Sequence, residues 1–225
     1  MKHPLACVTV ASLAACVAGP ATADAAAPCR SHGYRTVFAN HAGGVFQTAA
    51  GVRKKRGGYY ACLYRYGIRV RIGGGSAPNK VSMAGRFLAY SRPTQIEEGG
   101  GFIAARVIVL DLSRTPRQNP LVHVAVSGAP GATDSGQPPA NSPNGADPVI
   151  DLTVTFRGAA AWTARPASGE RDGDFQVLAV DGPGRTSASR LLDSGPAIGL
   201  RSLARRGRAG VRWTNAGETR SATLR

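Results

Sequence analysis

The chain has 225 residues, 28 Lys and Arg against 13 Asp and Glu, and a formal net charge of +15. That length suits one ordinary domain, or one repeat array, with a real core. The charge resembles that of a nucleic-acid binder, but Arg outnumbers Lys 24 to 4 among abundant Ala and Gly, the codon bias of a GC-rich genome. The arginines are also scattered, apart from RKKR at 53–56 and ARRGRAGVR at 204–212. Composition therefore argues against nucleic acid. It favours a solvated cationic surface, or one drawn to acidic cell-wall polymers, lipid headgroups or polyanionic glycans.

The first element is an export signal. Met1-Lys2-His3 is a short positive start, Pro4 to Ala18 is apolar, and Gly19-Pro20 precedes the small-residue stretch ATADAAA. Charge, apolar core, helix breaker and small residues form the layout that a signal peptidase reads. Ala23-Asp24-Ala25 or Ala21-Thr22-Ala23 supplies the small −3 and −1 positions, so residues 1–25 are expected to be removed and 26–225 to form the exported domain. The apolar run falls short of the roughly 20 residues needed to span a bilayer. An alternative is lipidation, because Leu13-Ala14-Ala15-Cys16 resembles a lipobox; the protein would then be anchored through Cys16. No later stretch is apolar enough to cross a membrane as a helix.

With Cys7 and Cys16 in the signal, Cys29 and Cys62 remain. Two cysteines in an oxidising compartment most simply pair. Such a bridge would tie the domain's start to a strand and stabilise it by roughly 3 to 4 kcal/mol on a chain-entropy argument.

After the signal no segment keeps a helical period with caps. Short runs rich in Val, Ile, Tyr and Phe alternate with Gly, Pro, Asn and Asp, at strand length. In YYACLYRYGIRVRIG, Tyr60, Cys62, Tyr64 and Tyr66 fall on one face of an expected strand. Beyond a turn near Gly67, Ile68, Val70 and Ile72 alternate with Arg69 and Arg71, the period of a half-buried strand. Similar runs lie at 87–91, 106–112, 121–126, 149–156, 159–165, 175–181 and 211–215. The chain reads as all-β.

The runs also repeat. A glycine, a small or branched residue and then an aromatic recur at Phe46, Tyr90, Trp162 and Trp213, with further strands after each. Intervals between these aromatics are 44, 72 and 51 residues. The long one contains SGAPGATDSGQPPANSPNGADP (127–148), which cannot pack a core and reads as a flexible insertion. Units of about 40 to 50 residues with about four strands each are the signature of propeller blades. The expectation is about four propeller-like antiparallel blades, the last incomplete, with a β-sandwich as the alternative.

APC at 27–29, YYACLYRYG, VSMAGRFLAYS, VIVLDL and the tail LLDSGPAIGLRSL with VRWTNAGETRSATL resemble a group of uncharacterised secreted proteins of high-GC bacteria. The resemblance spans most of the exported part. It implies export, blade repeats and a cysteine pair, and supplies no activity and no functional residues.

Chemistry is sparse in the sequence. His32, His41 and His123 are the histidines after the signal, and no serine sits in a G-x-S-x-G elbow. Glu97-Glu98 and Asp172-Gly173-Asp174 read as solvated loop charges or a hairpin turn, not as facing carboxylates or a calcium loop. GGGSAPNK at 73–80 lacks the second Gly and the hydroxyl of a phosphate loop. No catalytic, cofactor-binding or metal-binding set emerges. Tyr59, Tyr60, Tyr64 and Tyr66 form a cluster suited to packing beside a disulfide or to lining a binding surface. The expected function is an exported, non-enzymatic binding or interaction module, for anionic envelope polymers or another protein. The alternative is an extracellular hydrolase acting on envelope polysaccharide.

Overall fold

The computed structural model describes residue 29 and residues 34–48, 57–74, 77–96, 102–114, 120–126, 149–165, 174–183 and 188–225. The signal with Cys16, His32, RKKR at 53–56, Glu97-Glu98, Asp172-Gly173 and the insertion at 127–148 lie outside these residues. The described residues are all-β and form four antiparallel sheets, each a meander of consecutive strands. The first holds β1 (Tyr34–Ala39), β2 (Gly43–Thr48), β3 (Gly58–Leu63) and β4 (Ile68–Gly74). The second holds β5 (Val81–Ala84), β6 (Phe87–Ile96), β7 (Phe102–Asp111) and β8 (Leu121–Val126). The third holds β9 (Val149–Val154), β10 (Ala160–Ala164), β11 (Phe175–Val180) and β12 (Arg190–Gly195). The fourth has three strands, β13 (Ala204–Arg206), β14 (Gly210–Asn215) and β15 (Glu218–Thr223).

The sheets stack face to face in chain order. Leu88 and Tyr90 of β6 pack with Val45, Ala61 and Val70 of the first sheet, while Phe87 and Ala89 pack with Trp162 and Leu178 of the third. Ala161, Val177 and Ala179 then turn to Val211 and Trp213 of the fourth. Because alternate residues of a strand point to opposite faces, the second and third sheets are apolar at successive positions. A two-layer sandwich would leave one face of each sheet to solvent. Here both inner sheets are buried on both faces, which makes them blades in a series.

The first strands of neighbouring sheets lie together along the inner edge. Asn40 Nδ2 donates to the Met83 carbonyl at 3.2 Å, the Val154 amide to Ser82 Oγ at 3.1 Å, and the Leu203 amide to Asp151 Oδ2 at 3.2 Å. Each adjacent pair of sheets is thus joined by one such bond. Asp151 sits half-buried in this seam; desolvation pushes its pKa up, against two backbone amides and the charges of Lys80 and Arg201.

The ends of the series are closed differently. The outer face of the first sheet is covered by a small cluster of Cys29, Phe46 and Cys62, flanked by Tyr34 and Tyr64. Cys29 and Cys62 are disulfide-bonded, with Cα atoms 5.8 Å apart. Tyr34 and Tyr60 stack with ring centroids 6.3 Å apart. The last strand, β15, is polar and mostly exposed, as terminal repeats require.

The aromatics Phe46, Tyr90, Trp162 and Trp213 each occupy the second strand of their sheet. Two of them reach back to the last strand of the preceding sheet. Tyr90 donates its hydroxyl to the Ile72 carbonyl at 3.2 Å; burial, partly offset by Arg92, raises its pKa to about 12 and keeps that proton in place. Trp213 Nε1 donates to Asp193 Oδ2 at 2.7 Å. Trp162 is fully buried, yet its indole N–H finds no partner among the described residues.

Two details depart from the sequence reading. Strand β3 ends at Leu63, so Tyr64 and Tyr66 belong to the turn before β4 and Tyr66 is 54% exposed. The run 149–156 stops at Val154; Thr155 accepts backbone bonds from the Arg157 and Ala159 amides, which bends the chain and leaves Phe156 in the turn. In both places a following glycine of positive φ, Gly67 or Gly158, reverses the chain before the apolar pattern ends.

Candidate functional site

A strict meander sends alternate connections to opposite ends of a sheet. The turns β1–β2, β3–β4, β5–β6, β9–β10 and β13–β14, with the β11–β12 connection, therefore emerge together. They surround a cavity of about 700 Å³, within the size range of small-molecule sites. All four sheets contribute to its lining.

Four of these turns each place an arginine there: Arg65 after β3, Arg86 before β6, Arg157 after β9 and Arg208 before β14. All four are exposed. In every case a glycine in the left-handed region lies within two residues, namely Gly67, Gly85, Gly158 and Gly207. The glycine makes the reversal and the arginine rides on its shoulder, pointing away from strands that have no room for charge. Among the described residues no carboxylate lines the cavity.

The surrounding charges leave the mouth basic. Asp111, almost fully buried, holds Arg86 Nε at 3.3 Å and Arg114 Nε at 3.7 Å with Oδ2. Its Oδ1 accepts from the Ser113 amide and hydroxyl at 3.0 and 2.6 Å. One carboxylate thus serves two arginines. Among the described residues no carboxylate lies within ion-pair distance of Arg65, Arg157 or Arg208.

Aromatic rings are interleaved with these cations. Arg65 lies over Tyr66 at 5.4 Å, Arg86 over Phe87 at 5.0 Å and Arg205 over Phe156 at 4.2 Å from the ring centroid. Phe156 also stands against Gly85 of the second sheet, where an added Cβ would lie 3.1 Å from its ring. Phe156 therefore wedges three sheets together, whereas Tyr66 projects from the rim. A guanidinium stacked on a ring keeps its hydrogen-bonding edge free for an anion.

The residues singled out from the sequence fall mostly elsewhere. Tyr90, Trp162 and Trp213 lie in the packed interior between sheets, and Phe46 lies with Cys29 and Cys62 in the cap on the outer face of the first sheet. His41 is an exposed residue of the β1–β2 turn, and His123 lies on β8. Of the tyrosine cluster, only Tyr66 reaches the cavity. Of the four arginines only Arg208 lies in a cluster marked in the sequence, ARRGRAGVR at 204–212; the signal available for the others was arginine beside glycine at strand ends, in YRYG, AGRF and FRGA. Among the described residues no cluster of His, Cys, Asp and Glu could hold a metal ion, and no helix is long and apolar enough to cross a membrane.

No family model and no curated protein matches the chain. Among solved structures it is similar to TolB from Acinetobacter baumannii, at 12% identity over 82% of this chain and 52% of that one, with a TM-score of 0.23. The chain thus spans about half the length of that protein, and the likeness is too slight to bear on function.

Proposed function

We propose that this protein is an exported, non-enzymatic binding module whose basic mouth holds an anionic polymer of the cell envelope. One observation carries the reading: turns from four different sheets set four arginines around one cavity that no carboxylate of the described residues lines. A concave site lined by one sign of charge raises the local concentration of opposite charges and steers their approach. The arginine forks suit carboxylate and phosphate groups alike. Two features support the location. The first residues carry a signal layout, and the Cys29–Cys62 disulfide suits an oxidising compartment.

The hydrolase alternative needs two carboxylates facing each other across a cleft, and this cavity offers arginines and aromatics in their place. The test is binding of the purified exported protein to anionic cell-wall polymer and to a heparin-like polyanion across a salt series. Affinity should fall steeply with salt, as exposed charges are screened. Replacing Arg65, Arg157 and Arg208 together by Ala should remove most of it, while Ala at the exposed Arg71 and Arg212, outside the cavity, should not. Equal losses from both sets would assign binding to general surface charge and refute the site.

A further inference from the structure

The mouth holds more than charge. Tyr66, 54% accessible, is the most exposed of the described rings that line the cavity, ahead of Phe156 at 38%, and Arg65 lies over one face of Tyr66 at 5.4 Å from the centroid. Phe87 is buried, and Phe156 is held between Gly85 and Arg205, so these two rings build the wall instead of offering a platform. The site thus sets an exposed tyrosine ring beside several guanidinium groups, in about 700 Å³. That space is too small for a polymer coil and suits one or two ring-sized units.

A bare anion would satisfy the arginines and leave Tyr66 idle. A neutral sugar would use the ring and leave Arg65, Arg157 and Arg208 without a counter-charge among the described residues. The ligand that uses both is a saccharide bearing an anionic group. We infer that the mouth recognises an anionic saccharide unit, its charged group held by the arginines and its ring stacked on Tyr66. This rests on the anion-binding reading above and gives it a substrate class. Sugar phosphates and uronic acids share this chemistry and are the two sources to separate.

The experiment is calorimetric titration of the purified exported protein with a sugar phosphate, a uronic-acid disaccharide, the neutral disaccharide and inorganic phosphate. Wild type is compared with Tyr66→Ala, Tyr66→Phe and the Arg65, Arg157, Arg208 triple variant. One of the two anionic saccharides should bind about tenfold or more tighter than inorganic phosphate. Tyr66→Ala should erase that advantage and leave phosphate unchanged, and Tyr66→Phe should retain it because the ring is kept. Whichever anionic saccharide shows the advantage names the source. If phosphate binds as well as both saccharides, or Tyr66→Ala changes nothing, the saccharide assignment is overturned while the anionic mouth stands. If the triple variant binds every anion as wild type does, the anionic mouth itself is overturned.

Discussion

Asp193 is the point at which the fourth sheet hangs on the third, and its replacement tests the stacking directly. Its Oδ2 accepts from Trp213 Nε1 at 2.7 Å and Asn215 Nδ2 at 3.0 Å, and its Oδ1 from Arg220 at 2.7 Å. The side chain is only 7% exposed, whereas Arg220 is 46% exposed. In Asp193→Ala the indole and amide donors are left without an acceptor, at about 1 to 3 kcal/mol each. The solvent-screened Arg220 pair adds at most about 1 kcal/mol. Since these bonds act as a unit, the net loss should be about 3 to 5 kcal/mol. It should fall on the fourth sheet first, because each sheet of a serial array depends on its neighbours. Burial alone would raise the pKa of Asp193, but the Trp213 and Asn215 bonds, the Arg220 charge and the Ser194 amide together hold it below the usual carboxylate value. A carboxyl whose folded pKa is depressed contributes stability above its unfolded value of about 3.9, which is lost as pH falls through the folded value. Denaturant unfolding followed by tryptophan fluorescence at pH 7 and at pH 2 to 5 reads both effects, with amide exchange locating the loss. A cost below about 1 kcal/mol, together with an unchanged acid limb, would refute the reasoning.

Three further outcomes follow from the packing. Gly158→Ala places a Cβ 2.7 Å from the Phe87 ring at φ +79, whereas Gly207→Ala at φ +63 meets nothing within 4 Å. Chemical denaturation should therefore show about 2 to 4 kcal/mol lost for the first and about 1 kcal/mol for the second. Removing the disulfide by Cys29→Ser with Cys62→Ser opens a loop of sequence separation 33. It should lower stability by about 3 to 4 kcal/mol, measured against the oxidised wild type. Trp162→Phe forfeits an indole N–H that has no partner among the described residues, whereas Trp213→Phe strips a donor from Asp193. Without that bond the Asp193 pKa is less depressed, so Trp213→Phe should lose less stability between pH 7 and pH 3 than Trp162→Phe in thermal melts, and equal acid sensitivity would contradict the assigned bonds.

Much of the architecture was legible because inner blades are buried on both faces, and such strands read as unbroken apolar runs between turn residues. FLAYS and RVIVLDL are of this kind, and the recurring second-strand aromatics marked the repeat. First strands were harder to see. β1 and β13 are partly exposed and carry Arg35, Thr36, Arg205 and Arg206, so neither period two nor apolarity flags them. The cavity was harder still, since it is assembled from turns more than a hundred residues apart. Arg65 and Arg208 become neighbours of one space only through the stacking of four sheets. An arginine beside a turn glycine is an ordinary surface feature until its three counterparts are found at the same end.

The alternation of connections between the two ends of each sheet also sorts the chain by freedom to change. Val126 and Val149, which bracket the long insertion, end and begin their strands on the side away from the arginine turns. Length can therefore be added on one rim without touching the other, where the four arginine-bearing turns are short and each carries a left-handed glycine. A lineage carrying this fold could vary what it displays on the first rim while keeping what it grips on the second.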